Sequence, residues 1–337
     1  MTRNGPGRVT IHDVARLAGV STASVSRTLS GARRVGADVE TKVRRASEEL
    51  GYAPDEVGRS LRRQETRTVG LVIADITNPF FPALVKSVAE SVRAAGFGLL
   101  LADASNDPDQ ERDSVRLLLA RRVDALLITP CHRQRSRKAV REASERVPTV
   151  QLDRFASSAA DYVGMDHGRA VGDVLAHLSG TGRRHPAMIA SDPHVSTAWE
   201  RQRAYVRRSV AFDPGAAERL LVGTFSFDWG REAAMQVRSR WPDVDALVCA
   251  NDLIALGALE QLTRNGVKVP SEVAVVGFDD TMFATLKEPS LTSVRQPVAE
   301  MAQAAVDLVL AGRDSRRPVR RELAAALQIR DSTASDH

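Results

Sequence analysis

Apolar strand-like runs alternate with helical segments over most of the chain, and this alternation restricts the possible folds most. The runs VGLVIAD at 69–75, DALLIT at 124–129 and HPAMIA at 185–190 are short and almost wholly apolar. Such runs are typical of parallel strands that helices cover on both faces. The sequence therefore predicts an α/β fold with parallel sheets.

The alternation occurs in two successive series, so we expect two Rossmann-like lobes. A chain of 337 residues is long enough for these lobes and a further small domain. Long connections near 151–156, 279–283 and 313–318 predict that the chain passes between the lobes three times. The expected bounds are 68–154 plus 284–313 for the first lobe, and 155–283 plus 314–332 for the second.

The stretch at 9–31, VTIHDVARLAGVSTASVSRTLSG, predicts two short helices around a tight turn. Gly19 suits the turn because glycine adopts a left-handed conformation without steric cost, and Ser21 suits an N-cap. The second helix would present its small and polar side chains outward. A helix-turn-helix of this kind places its second helix in the major groove of DNA. The expected inner seam is Ile11, Val14, Ala15, Ala18, Val20, Val25 and Leu29, and the expected outer face is Thr22, Ala23, Ser26 and Arg27.

Positive charge is concentrated in the same N-terminal region. Residues 1–67 hold thirteen Lys and Arg against eight Asp and Glu, whereas the remainder holds 34 of each. A third helix at about 38–50 has an apolar stripe that would close a small three-helix core, formed by Val39, Val43, Ala46 and Leu50. This distribution indicates a phosphate-binding module attached to a neutral domain.

The run TIHDVARLAGVSTASVSRTLSG resembles the DNA-binding headpiece of the lactose-repressor/galactose-repressor family. Ser24 stands where that family usually has Thr, and Ser30 where it usually has Asn. The resemblance continues through most of the chain and implies a headpiece at 1–50, followed by a two-lobed core like that of periplasmic binding proteins. It also implies DNA contacts by Thr10, Ser21, Thr22, Ala23, Ser26, Arg27, Arg33 and Arg34.

The segment 51–67 resembles the hinge helix of that family. By this match, Leu61 would wedge into the minor groove, which opens a base step and bends the duplex. Asp55 replaces the usual Asn, and Gly58 replaces the usual Ala at a cost of about 1 kcal/mol in helix propensity. We expect a hinge that is weaker and more sensitive to salt or ligand than is usual in the family.

Polar and aromatic side chains follow several predicted strands, and ligands of open α/β sheets bind at those strand ends. Carboxylates, amides and arginines pair with hydroxyl groups, and an aromatic ring packs on the C–H face of a sugar. The motifs NPFF, LDR, T-x-x-x-R, ND and GFDD resemble the effector pocket of the family. The resemblance implies effector contacts by Asn78, Phe80, Phe81, Arg154, Arg201, Phe225, Asn251, Asp279 and Gln296, with Trp199 as a further stacking candidate.

Other chemistries lack their sequence motifs. The chain contains no G-x-G-x-x-G after the first strand, no G-x-x-x-x-G-K-[ST] and no G-x-S-x-G, so we expect neither nucleotide binding nor an enzyme. The seven histidines lack the spacing of metal ligands, so neither metal nor cofactor is expected, and most should lie at the surface. Cys131 and Cys249 should be buried free thiols, and Asp279 and Asp280 should point apart.

These observations predict a transcription repressor whose affinity for a near-palindromic operator is controlled by a small ligand, such as a sugar. A homodimer would match half-sites about 10 bp apart. The N-terminus MTRNGPGR lacks the apolar segment of a secretory signal, which favours a cytoplasmic location, and no run is long enough to span a membrane. A stand-alone solute-binding protein for transport is the alternative, although it would not need residues 1–67.

Overall fold

The computed structural model describes residues 9–30, 35–52, 65–286, 288–312 and 317–334. The chain divides into two compact units, Met1–Thr66 and Arg67–His337. The predicted contacts Arg33, Arg34 and Leu61, together with Asp55 and Gly58 of the hinge, lie outside the described residues.

The first unit contains three helices around a small apolar core, as predicted. Gly19 ends the first helix in the left-handed conformation with φ +66°, and Gly51 ends the third in the same way. The core is formed by Val14, Ala15, Val25, Val43 and Ala46, with Ile11, Ala18, Val20, Leu29, Val39, Leu50 and Tyr52 packed around them. The helices are α1 (Ile11–Ala18), α2 (Thr22–Ser30) and α3 (Ala37–Leu50).

The second unit begins with five strands and three helices in strict alternation up to the fourth strand. These elements are β1 (Thr68–Ile73), α4 (Phe80–Ala94), β2 (Gly98–Asp103), α5 (Pro108–Ala120), β3 (Ala125–Ile128), α6 (Arg137–Ser144), β4 (Thr149–Leu152) and β5 (Asp161–Met165).

The remainder of the unit continues the alternation, with short 3-10 turns at Ala216–Glu218 and Met282–Thr285. Its elements are α7 (His167–Gly180), β6 (Pro186–Ser191), α8 (Ser196–Ser209), β7 (Leu220–Gly223), α9 (Phe227–Arg240), β8 (Ala246–Cys249), α10 (Asp252–Arg264), β9 (Ala274–Phe278), β10 (Thr292–Arg295), α11 (Val298–Leu310), β11 (Arg320–Leu323) and β12 (Ala326–Gln328).

The described residues form two six-stranded sheets, one for each lobe. The first sheet has the order β11-β5-β4-β3-β1-β2 and is parallel throughout. The second has the order β12-β10-β9-β8-β6-β7, and only β12 runs antiparallel to its neighbour. Each sheet is covered by helices that close a separate apolar core. Cys131 and Cys249 are buried free thiols in these cores, as predicted.

The lobe boundaries expected from the sequence are wrong by one strand at each crossing. β5 and β11 pair with each other in the first sheet, although both were assigned to the second lobe, and β10 pairs with β9 in the second sheet rather than in the first. The chain therefore crosses after Met165, Arg295 and Leu323. A short apolar strand has the same pattern in either sheet, and only its partners, which are distant in sequence, decide which sheet it joins.

Candidate functional site

The start of α2 is fixed by local hydrogen bonds. The Ser21 hydroxyl accepts from the backbone N–H of Ser24 at 3.2 Å, which is the predicted N-cap. At the start of α1, Asp13 Oδ2 accepts from the hydroxyl and the backbone N–H of Thr10 at 2.7 and 3.0 Å. The Thr10 hydroxyl bond is the main cause of a lowered pKa of Asp13. Thr10 and Ser21 therefore hold the ends of the two helices.

The outer face of α2 carries the side chains predicted to read DNA. Ala23 and Arg27 are exposed, whereas Thr22 and Ser26 are half-buried. The Arg27 Nε donates to the carbonyl oxygen of Ala23 at 3.1 Å, so the guanidinium lies along the helix surface. Because the other side chains on this surface are small, α2 can approach a groove of DNA closely. Arg27 supplies one long cationic side chain at the centre of the surface.

In the second lobe, a buried arginine on α8 joins three separate elements. The Arg201 Nε donates to His167 Nδ1 at 3.2 Å, and its Nη1 donates to the carbonyl oxygen of Ala250 after β8. Its Nη2 lies 3.5 Å from Asp279 Oδ1 after β9, and its guanidinium carbon lies 4.6 Å from the centroid of the Phe278 ring. Arg201 is therefore held rigidly at the carboxyl ends of these strands.

Asp279 joins Arg201 to the end of β10. The Gln296 Nε2 donates to Asp279 Oδ1 at 2.7 Å, at the point where the chain crosses to the first lobe. Burial raises the pKa of Asp279, although the nearby guanidinium of Arg201 and the Gln296 hydrogen bond oppose the rise. Asp280 points elsewhere, to Arg295 and Arg330, so the two adjacent carboxylates point apart as predicted.

In the first lobe, Asp153 and Arg154 occupy the end of β4. Both side chains are only 5% exposed, and the Arg154 Nε lies 3.8 Å from Asp153 Oδ2. The guanidinium carbon of Arg154 lies 5.2 Å from the Phe81 ring centroid, and its Nη1 donates to Asn106 Oδ1 at 3.4 Å. Burial raises the pKa of Asp153 to about 6, with opposing contributions from Arg154 and from Arg201 of the second lobe. The backbone N–H of Phe155, next to Arg154, donates to the hydroxyl of Ser196 on α8 at 2.9 Å, so the two lobes meet at this strand end.

The side chains of Asp153, Arg154, Arg201, Asp279 and Gln296 form one buried cluster. Several of its polar atoms have no hydrogen-bond partner among the described residues. They are Asp153 Oδ1, Arg154 Nε and Gln296 Oε1. Buried polar atoms in proteins are nearly always paired, so such atoms mark a place for a ligand or water. Two arginines and two carboxylates, Arg154, Arg201, Asp153 and Asp279, give the cluster a balanced charge.

The chain matches two family models, one for each unit. Residues 10–55 match the bacterial regulatory proteins of the lacI family, and residues 175–333 match the periplasmic binding protein-like domain. The ribose operon repressor of Escherichia coli K12 is 32% identical over 305 residues, which cover 89% of this chain and 92% of that protein. The chain belongs to the lacI family. This lacI-family protein is a DNA-binding transcription regulator of the repressor class, and its second unit is a ligand-binding core.

Solved structures agree with this assignment over almost the full length. The lac repressor dimer bound to operator and the anti-inducer ONPF superposes with a TM-score of 0.88 at 26% identity, covering 98% of this chain and 100% of that chain. The transcriptional regulator CelR in complex with cellobiose has a TM-score of 0.71 at 32% identity, covering 96% and 100%. The helical headpiece and the two-lobed core predicted from the sequence are therefore confirmed.

The cluster brings together only some of the predicted effector contacts of this lacI-family repressor. Arg154, Arg201, Asp279 and Gln296 converge, with Phe81 beside Arg154. Asn78 and Asn251 use their side-chain oxygens to accept from the backbone N–H groups of Phe80 and Ile254 at the starts of α4 and α10. Phe80 lies in the core of the first lobe, and Phe225 packs against that of the second.

Trp199 lies apart from this cluster. It precedes Arg201 by two residues on α8, which places the two side chains on opposite faces of the helix. Its ring contacts the guanidinium groups of Arg133 and Arg203, at 3.9 and 4.5 Å from the ring centroid. Trp199 lines an open groove of about 460 Å³ on the outer side of α8.

Sequence reasoning missed several buried polar side chains around the cluster. His167, one of the seven histidines of which most were expected at the surface, is buried, and burial keeps its pKa well below the usual value. Asp252 accepts from Thr281 after β9 and from Ser293 in β10, and burial raises its pKa to about 7. Asp153 was visible as part of LDR, and its positive φ of +64° is a conformation that sequence alone does not reveal.

Two further classes of site are absent from the described part of the chain. There, no three His, Cys, Asp or Glu side chains are grouped so that they could hold a metal ion. No helix among those residues is long and apolar enough to cross a membrane.

Proposed function

We propose that this repressor senses a neutral, hydroxyl-rich small molecule, a sugar or sugar-like metabolite, at the cluster formed by Arg154, Arg201, Asp279 and Gln296. The observation that carries this proposal is the set of buried polar atoms without partners in the described residues, at a place where both lobes contribute charged side chains. Hydroxyl groups donate and accept, so vicinal hydroxyls would satisfy Asp153 Oδ1, Arg154 Nε and Gln296 Oε1 together.

The charge balance of the cluster favours a neutral ligand over an ion. Two guanidinium groups face two carboxylates within the cluster, so an anion or a cation would leave one buried charge without compensation. Phe81, whose ring lies beside Arg154, offers the apolar surface that the C–H face of a sugar ring requires. Relatives of the chain include a ribose operon repressor and a regulator bound to cellobiose, which supports the same class of ligand.

We propose that the ligand changes the affinity of a homodimer for a near-palindromic operator in the cytoplasm. A dimer explains an exposed apolar surface near the end of β9, where Met282 and Leu286 are 69% and 66% exposed and Phe283 lies between them. In each headpiece, Arg27 would contact base edges while Thr10 and Ser21 position the backbone. The ligand can shift the DNA-binding equilibrium only by its differential affinity for the two states, which amounts to about 1–3 kcal/mol. We propose no catalytic step.

A ligand screen tests the effector site. Thermal unfolding of the full chain is measured with D-ribose, cellobiose and a panel of other neutral sugars, and operator binding is followed by fluorescence anisotropy. We expect one sugar to raise the melting temperature and to change operator affinity. Asp279→Ala should abolish both responses while leaving DNA binding intact, whereas Asp228→Ala on the exposed surface of α9 should retain them. A response that survives in Asp279→Ala would exclude this site.

A salt titration and one substitution test DNA reading. Binding to random duplex DNA should weaken steeply with salt, because a phosphate-contacting module releases counterions. Arg27→Ala should abolish the preference for operator over random DNA while leaving sugar binding unchanged. Arg16→Ala is the matched control, since Arg16 is exposed on α1 and pairs with Asp13 at 3.2 Å. Operator preference retained in Arg27→Ala would contradict the assigned role.

A further inference from the structure

Two loops contact each other across the lobes, separate from the three chain crossings. The loop after β3 belongs to the first lobe and carries His132 and Arg133, and the loop after β6 belongs to the second and carries Pro193 and His194. The imidazole rings of His132 and His194 are stacked, with centroids 4.6 Å apart and planes inclined by 15°. The backbone N–H of Arg133 donates to the carbonyl oxygen of His194 at 2.7 Å.

The Arg133 side chain extends the contact further into the second lobe. Its Nη1 donates to the carbonyl oxygen of Pro193 at 3.2 Å, and its guanidinium carbon lies 3.9 Å from the centroid of the Trp199 ring. A guanidinium over an indole face is attracted by the quadrupole of the ring. Trp199, which was a candidate for ligand stacking, is therefore contacted by the Arg133 guanidinium of the opposite lobe.

The first loop is anchored on a buried carboxylate. Glu111 is fully buried, and its Oε2 accepts from the backbone N–H of Cys131 at 2.6 Å and from the hydroxyl of Ser136 at 3.0 Å. The backbone N–H of His132 donates to the same hydroxyl at 3.0 Å. Because Glu111 fixes both ends of the turn, His132 and Arg133 are presented rigidly to the second lobe.

The second loop is held in a similar way by Asp192. Its Oδ1 accepts from the backbone N–H of His194 at 2.8 Å, and its carbonyl oxygen accepts from the N–H of Val195 at 3.0 Å. Each loop is therefore held by hydrogen bonds within its own lobe, in addition to its contacts with the other loop. Little conformational entropy is lost when two such loops meet, so a few contacts can stabilise the pair.

We propose that these loops form a clasp, consisting of His132 and Arg133 on the first lobe and Pro193, His194 and Trp199 on the second, which holds the lobes together and positions them for effector binding. A ligand contacting both lobes binds best when they are already close, so the clasp raises the population of the binding-competent state. This consequence for the effector rests on the proposed function, whereas the clasp itself does not.

The clasp should release as the pH falls. His132 Nδ1 accepts from the backbone N–H groups of Gln134 and Arg135 at 3.1 and 3.2 Å, which requires that nitrogen to carry no proton. Burial, then the charges of His194 and Arg135, and finally that of Arg133 lower the pKa of His132, and only Asp192 opposes them. Protonation of His132 at Nδ1 would break its hydrogen bonds to the N–H groups of Gln134 and Arg135. It would also add a positive charge beside the side chains of Arg133 and Arg135.

The distance between the lobes tests the clasp without any effector. Spin labels are placed at the exposed positions of Lys138→Cys in α6 and Asp228→Cys in α9, since both native cysteines are buried. In the full chain, Arg133→Ala should lengthen and broaden the distance distribution between the labels. Trp199→Leu removes the same contact from the other lobe and should act alike, so a variant that fails to fold does not end the test.

Arg135→Ala is the matched control, because Arg135 lies in the same loop but pairs with Asp109 of its own lobe at 2.8 Å. Distances equal to those of the unsubstituted protein in Arg133→Ala, or an equal lengthening in Arg135→Ala, would overturn the clasp. Lowering the pH from about 7.5 to about 5 should open the protein, since this range covers the usual histidine pKa and the region below it. His132→Asn, whose Oδ1 can accept in place of Nδ1 but takes up no proton, should open less.

A sugar identified by thermal unfolding extends the same test to function. Loss of one charged hydrogen bond and one cation–π contact in Arg133→Ala should weaken sugar binding about tenfold. If no sugar binds but the distances respond as expected, the clasp stands and the proposed effector class fails. If a sugar binds equally well to the unsubstituted protein and to Arg133→Ala, the positioning role is overturned.

Discussion

The two lobes contribute to the ligand cluster in different ways. In the second lobe, Arg201 uses all three of its guanidinium nitrogens to contact His167, Ala250 and Asp279. In the first lobe, Arg154 is equally buried, yet its Nε has no hydrogen-bond partner among the described residues, and one oxygen of Asp153 is in the same condition. The guanidinium group of Arg201 is thus fully paired within the protein, whereas that of Arg154 is not.

This difference indicates a division of roles. A side chain with a complete set of protein contacts is preorganised and offers a fixed surface to a ligand. A buried side chain that lacks partners is costly without a ligand, and it gains most when one arrives. The second lobe would therefore define the shape of the site, while the first lobe would supply the groups that respond to occupancy. Gln296 stands between these roles, since its amide nitrogen is paired and its oxygen is not.

The largest effect is expected from removal of a preorganised charge. Arg201→Met leaves Asp279 buried without its cation, and breaking a buried ion pair in this way costs about 3–5 kcal/mol. The free energy of unfolding is measured with urea at pH 8. Arg207→Met on the exposed side of α8 is the control and should change little. Equal losses in the two variants would contradict a special role of the Arg201 contacts.

An intermediate effect is expected from the pH dependence that Asp153 creates. The pKa of Asp153 is raised from 3.8 to about 6 in the folded protein, so the folded state binds more protons than the unfolded state between these values. The free energy of unfolding should therefore fall as the pH rises from about 4 to about 6, by about 2 kcal/mol from this group.

Asp153→Asn should remove that fall, and Asp228→Asn should retain it. The difference between each variant and the unsubstituted protein is the relevant quantity, because His167, whose pKa is lowered by burial, contributes a slope of the opposite sign. If the free energy of unfolding of Asp153→Asn depends on pH as that of the unsubstituted protein does, burial of ionised Asp153 does not destabilise the first lobe. Added sugar should flatten the slope, because hydroxyl donors favour the ionised carboxylate.

Much of the architecture could be predicted because it rests on local patterns. The three-helix core, the left-handed Gly19 and the alternating strands depend on periodicity and turn chemistry that a sequence displays directly. The assignment of β5, β10 and β11 to sheets could not be predicted in this way. Their partners lie far along the chain, as in the pairing of β11 with β5. Moving one strand from one sheet to the other would leave the local sequence pattern of every strand unchanged.

The site was predictable in part for the same reason. Parallel strands bring their carboxyl ends to one edge, which indicated where a ligand would bind, and the family resemblance selected Arg154, Arg201 and Asp279 there. The outward turn of Trp199 depends on the register of α8, and the burial of His167 depends on how α7 packs after the first crossing. Neither follows from residue type alone. Asn251 follows a strand and also caps a helix, because its Oδ1 accepts from the backbone N–H of Ile254, and residue type alone does not separate this role from a ligand contact.

The smallest effect on stability, paired with a large effect on binding, is expected for Arg154→Met. Its contacts within the described residues are a 3.4 Å hydrogen bond to Asn106, a 3.8 Å approach to Asp153 and the Phe81 ring. At pH 5, where Asp153 with its pKa of about 6 is mostly protonated, replacing Arg154 by an apolar side chain of similar length leaves no carboxylate unpaired and should change the free energy of unfolding by about 1 kcal/mol or less. Sugar binding should weaken by about 10–100-fold, because a charged hydrogen bond to a hydroxyl is lost.

Calorimetric titration with the identified sugar, alongside urea unfolding, measures both quantities on the same preparation. A stability loss in Arg154→Met as large as that in Arg201→Met would mean that both sides of the cluster are equally preorganised. The ligand would then bind to a site that is already complete.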